Sequence, residues 1–173
     1  MRRTIFALAG AGLIAAAGAA WAAPGPTDPQ IAHIAYTADA IDVAAGKQAL
    51  AKSHNPKVRE FAEEMVRDHT AVNDKALALV KKLGVTPQPN PTSAALQGQA
   101  IAERAKLEKL SGAIFDRAYV ANEVAYHKTV NGALEQTLIP SAQNGELKSL
   151  LQTGLKLFEE HQAHAEQLAG DLR

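Results

Sequence analysis

The stretch FAEEMVRDHTAVNDKALALV, residues 61–80, reads as part of one amphipathic helix. Stepping by four and three from Val58 gives Val58, Ala62, Met65, His69, Val72, Ala76, Leu79 and Leu83 along a single face. His69 is the one polar member of that face. A histidine in the middle of a buried seam belongs either to a packed polar network or to a site.

The rest of the chain fits a helical reading. Its 173 residues suffice for one domain with a proper core. Apolar residues make up 47% and aromatics only 5%, so alanine and leucine supply the bulk, as in closely packed helices. The formal charge is zero, with no basic run interleaved with aromatics, which argues against a nucleic-acid partner. Cysteine is absent, which removes disulfides, thiolate catalysis and zinc–thiolate sites.

The N-terminus reads as an export signal. Arg2-Arg3 is followed by the apolar run TIFALAGAGLIAAAGAA and by AWA at 20–22, a small-x-small cleavage pattern. Residues 1–22 are therefore assigned to a signal peptide and 23–27 to a Pro/Gly tether, leaving 28–173 as the domain. Cleavage removes Arg2 and Arg3, which leaves 18 − 2 = 16 Lys+Arg against 18 Asp+Glu. The expected location is periplasmic or extracellular, with no membrane span after cleavage.

Within the domain, Asp28-Pro29 and Asn55-Pro56 each read as a cap followed by proline in the first turn of a helix. The first helix should reach about Lys52, and the second should end at Leu83 with Gly84 as its C-terminal glycine. Three prolines in VTPQPNPTS form a linker, after which Thr92 or Ser93 opens a shorter helix to about Leu110. A long helix then runs from Gly112 to about Ile139, closed by Pro140, and the last spans about Glu146–Ala169. Two short turns and one long, helix-containing connection predict a ferritin-like antiparallel four-helix bundle with an additional shorter crossover helix.

The other long helices repeat the puzzle of His69. The last carries His161 between Phe158 and Ala165, the one before it carries Glu123 and His127 one turn apart, and the first carries Asp42 between Ala38 and Ala45. These positions fall at similar heights. Three histidines and two carboxylates in an apolar core must be partnered, since a lone buried polar group costs ~1–3 kcal/mol. One solution is a hydrogen-bonded network that fixes helix register. The other is a mononuclear divalent transition metal, Zn, Fe or Mn, held by Asp42, His69, Glu123, His127 and His161. A di-iron site needs Glu-x-x-His on two helices, whereas Glu123 and His127 are Glu-x-x-x-His, so oxidase chemistry is not expected. Asp68 and Glu160 lie about 100° from their neighbouring histidines and read as solvated, and His164 reads as the edge of its seam. Phe115, Tyr119 and Tyr126 read as core, and no nucleophile elbow or phosphate loop is present.

FAEEMVRDHTAVNDKALALVKKLGVTP resembles the signature region of the domain-of-unknown-function 4142 family. IDVAAGKQALAKSHNPKVREFA, SGAIFDRAYVANEVAYHKTV and FEEHQAHAEQLA are similar to that family in the same order. The resemblance implies a ferritin-like helical bundle in an exported bacterial protein and no established activity. Its recurrent polar positions fall here on Asp42, Asp68-His69, Asn73, Asp116-Arg117-Tyr119, His127 and Glu160-His161. The expected role is non-enzymatic binding or an envelope-stress function, with metal binding as the alternative. A homodimer through an alanine-rich helix face is a third expectation.

Overall fold

The computed structural model describes residues 25–172; the expected signal peptide and the first residues of the tether lie outside them. The described residues form helices and no strand: α1 (Asp28–Lys52), α2 (Pro56–Leu83), α3 (Pro91–Glu108), α4 (Gly112–Ala133), a π-helical segment (Leu134–Leu138), α5 (Ile139–Ser141) and α6 (Gly145–Asp171). None of these helices is long and apolar enough to cross a membrane.

Local chemistry sets the boundaries. Asn55 caps α2, its side chain accepting from the Lys57 and Val58 amides, and Gly84 ends the helix in the left-handed conformation at φ 63°. The cap of α1 is Thr27 rather than Asp28. Asp28 instead accepts hydrogen bonds from the Gln143 and Asn144 amides at 2.9 Å, tying the start of α1 to the turn before α6. α3 begins two or three residues earlier than expected, because Asn90 rather than Thr92 or Ser93 caps it, accepting from the Ser93 amide. Pro140 does not end the third long helix. Lacking an N–H, it breaks the α pattern, and the chain passes through the π segment and stays helical to Ser141.

End-to-end contacts give the helix directions. Lys57 pairs with Asp171 at 2.8 Å and Lys82 pairs with Glu146, so α2 and α6 are antiparallel. Asn131 bonds Gln162 at 3.0 Å and Lys128 pairs with Glu166 at 2.9 Å, so α4 and α6 are antiparallel too. α3 runs beside α1 in the same direction: Asn90 reaches the Gln30 carbonyl at one end and Lys52 reaches the Glu108 carbonyl at the other. α3 thus carries the chain from the far end of α2 back to the start of α4. α1 packs chiefly on α2, and also on α3 and α4. At the α1–α2 crossing the backbones meet at Gly46, where a methyl group would come within 2.9 Å of Val66 and 3.0 Å of the Ala62 carbonyl.

Apolar residues gather into two clusters. One contains Ala45, Ala49, Phe61, Met65, Phe115, Tyr119, Val120 and Ala165. The other contains Ile31, Ile34, Leu134, Leu138, Leu147, Leu151 and Phe158. Between the two clusters lies a layer of buried polar residues from α1, α2, α4 and α6.

Candidate metal centre

That intervening layer brings together Asp39 and Asp42 of α1, His69 of α2, Glu123 and His127 of α4, and His161 of α6, all buried. The ring centroids of His69, His127 and His161 lie 5.2–5.6 Å apart. One nitrogen from each ring lies within 4.8 Å of the other two, and ligand atoms of Asp42, Glu123 and His127 meet the same criterion. All five residues singled out by sequence therefore converge.

The protonation pattern follows from the partners. His69 Nδ1 is 2.7 Å from Asp39 Oδ1, and His161 Nε2 is 3.1 Å from Asp68 Oδ2. His127 Nδ1 is 3.0 Å from the Glu123 carbonyl oxygen. Carboxylates and carbonyls accept, so each of these nitrogens carries the ring proton and donates. The opposite nitrogens, His69 Nε2, His127 Nε2 and His161 Nδ1, are buried and have no hydrogen-bond partner among the described residues, as do both oxygens of Asp42. Asp42 Oδ2 stands 3.1 Å from His69 Nε2 and 3.5 Å from His127 Nε2 without hydrogen-bond geometry to either. Each of the three rings thus leaves one buried nitrogen unpartnered in the layer that holds the Asp42 carboxylate.

The electrostatics agree. Burial pushes His127 below the ordinary histidine value, and burial, reinforced by His69, pushes His161 down to about 4. Both are neutral near pH 7. Burial also acts to lower His69, but Asp42, Asp39 and Asp68 outweigh it and the net shift is upward. Glu123 is raised well above the carboxylate range by burial and then by Asp42, so it holds a proton beside the Asp42 carboxylate. The close ionic partners of Asp39 and Asp42 are histidines, with no lysine or arginine among them.

Asp39 was not foreseen, and Asp68 was named only through the family resemblance. Asp39 sits one turn before Asp42 on the same helix face, and that acid pair in an alanine-rich stretch was its signal. Asp68, expected on a solvated face, instead bridges to His161 while bidentate with Arg67 at 2.7 and 3.0 Å. Burial raises Asp68, but its bonds to Arg67 and His161 outweigh that and hold it below its usual range. Glu64, Asp68 and His161 form a further, half-buried group with metal-ligand spacing, flanked by His164, which bonds Glu64 at 2.7 Å. Phe115 and Tyr119 are core, as expected, but the Tyr119 hydroxyl finds no partner among the described residues; Tyr126, also expected in the core, is half-buried and donates to the Ala38 carbonyl at 2.9 Å.

The family model described as Domain of unknown function (DUF4142) matches residues 14–168. No curated protein matches the sequence. Among solved structures, the chain is similar to a Streptomyces coelicolor protein described as "putative secreted protein DUF305". The TM-score is 0.68 at 12% identity, covering 83% of this chain and 91% of that one. At that identity the likeness speaks to the fold.

Proposed function

The chain belongs to the DUF4142 family, and from its buried polar layer we propose that it is an exported protein that binds one divalent transition-metal ion. The observation that carries this is the set of buried, unpartnered donor atoms. His69, His127 and His161 each have one ring nitrogen fixed by an acceptor and the other unpartnered, next to an unpartnered Asp42 carboxylate. Histidine ligands typically donate their second N–H to a carboxylate or carbonyl, which sets the tautomer and orientation. Asp39, the Glu123 carbonyl and Asp68 fill those roles. The three histidines form one close donor group and Asp42 and Glu123 form another with His127, so each of the four long helices supplies a donor.

Three imidazoles and one carboxylate suit a first-row ion, and affinity for such donors rises from Mn to Fe to Zn. The donors are 1–3% exposed, which favours a closed, retaining site over one that admits a substrate. Binding, sequestration or metal-dependent stability in the envelope fits this better than turnover. The helix directions, with α3 returning the chain from end to end, support the ferritin-like bundle. The N-terminal signal pattern and the description of the Streptomyces relative support export.

Elemental analysis of untagged protein purified from the periplasm tests this directly. The expected result is near one equivalent of metal, lost in His69→Leu, His127→Leu and His161→Leu taken singly. Metal far below one equivalent, together with no thermal shift on adding Zn, Fe or Mn, overturns the proposal. A stable, well-folded His69→Leu protein with unchanged metal content would return the layer to a purely structural network.

A further inference from the structure

On the α6 N-terminal side of the polar layer the core is not closed. A cavity of about 530 Å³ lies among the helices, walled by Ile34, Val72, Leu96, Leu134, Leu147 and Leu151. Native interiors keep few voids larger than a water molecule, whereas binding sites for small apolar ligands run to ~300–1,000 Å³. The π segment forms part of the wall through Leu134, Thr137 and Leu138, and such segments concentrate at functional sites.

The lining selects the ligand. Among the described residues Asp39 is its only ionisable residue, and no lysine, arginine or histidine of them faces the space, so an anionic group finds no partner among them. Thr92, Thr129 and Thr137 line it while exposed, placing a hydroxyl-rimmed mouth between the start of α3 and the α4–π stretch. The inner end meets the polar layer: Asp39 and Phe158 line the cavity, and Phe158 stacks on His69 at 4.6 Å between centroids. We propose that this cavity binds a single uncharged aliphatic chain, its tail among the leucines and a neutral polar head at the threonine rim. The binding site is separate from the metal donors and needs no metal.

The test uses the metal-free protein and N-phenyl-1-naphthylamine, whose fluorescence rises on entering an apolar site, displaced by n-alkanols from hexanol to dodecanol. Each added methylene is expected to tighten displacement about fourfold, the ratio equivalent to ~0.8 kcal/mol per buried methylene, until the chain outgrows the cavity. Alkanoates of equal length should compete at least tenfold more weakly at neutral pH. Ala35→Phe and Ala76→Phe each narrow the space from a different helix and should abolish probe binding with helicity retained. Affinity that does not change with chain length, or alkanoates that equal alkanols, overturns the proposal. So does loss of probe binding with rising protein concentration in step with dimerisation, which would give the cavity to a second copy of the chain. If either phenylalanine variant fails to fold, the chain-length series decides alone.

Discussion

Acidification of the metal-free protein should weaken it through His161, and the size of the effect follows from the site. His161 is 1% exposed and its pKa lies at about 4, against 6.5 for the free side chain. The unfolded chain therefore takes up a proton there as pH falls through 6.5, while the folded protein refuses it until about 4. Stability supplied by the neutral ring is fully present above 6.5 and is lost progressively as pH drops toward 4. A difference of two to three pKa units corresponds to roughly 3 kcal/mol at ~1.4 kcal/mol per unit. His69 has the opposite sign: its pKa is raised, so its contribution is present at low pH and disappears as pH rises through the folded value. The whole-protein curve mixes the two, and a variant separates them. His161→Gln keeps a donor for Asp68 but does not titrate. Urea unfolding from pH 7 to 4.5 should show the wild type losing ~2–3 kcal/mol more than His161→Gln over that interval. A difference that stays constant within ~0.5 kcal/mol would mean His161 is not held as a buried neutral ring, and the donor geometry proposed for the metal would fall with it.

Asp39→Asn preserves an acceptor for His69 Nδ1 but removes its charge; titration against a chromophoric chelator should show metal affinity reduced ~10–100-fold. Gly46→Ala should destabilise by ~1–3 kcal/mol in thermal unfolding, since its methyl meets Val66 at 2.9 Å and the Ala62 backbone at 3.0 Å. Gly154→Ala should stabilise by ~0.5–1 kcal/mol in the same assay, because its methyl makes only ordinary contacts at 3.5–3.6 Å with Phe158. Asn55→Ala should cost ~1 kcal/mol through loss of the α2 cap, measured by denaturant midpoint at unchanged m-value.

The helices and the central buried polar residues were legible because both rest on helical periodicity. His69, His161 and Asp42 each interrupt an apolar stripe, and an interruption at matching height in several helices identifies a shared level. Asp68 escaped that reasoning for a physical reason. A stripe marks one contact direction, but α2 packs on both α1 and α6, and a helix with two neighbours buries a wider arc. A residue 100° from the seam toward α1 then faces α6. The π segment escaped because proline reads as a stop, whereas here the chain absorbs Pro140 by changing hydrogen-bond register. The cavity escaped because leucine and alanine look the same in sequence whether they fill a core or line a void.

The position of the polar layer explains how it is tolerated. Its cluster neighbours on one side, among them Phe61, Met65, Phe115 and Tyr119, are fully buried. The cluster on the other side wraps the cavity. Between them, four acids and three histidines are satisfied only in part by one another, and the layer fixes register. Any sliding of α1, α2, α4 or α6 separates Asp39 from His69 or Asp68 from His161 and strands a buried charge. A metal ion bridging Asp42, His69, His127 and His161 would cross-link all four helices at that level and bind the folded state alone. Linkage then supplies ~4 kcal/mol at a thousandfold excess over the dissociation constant, comparable to the acid-labile contribution of His161. The same donors would thus make the protein stable when metal is present and acid-sensitive when it is absent.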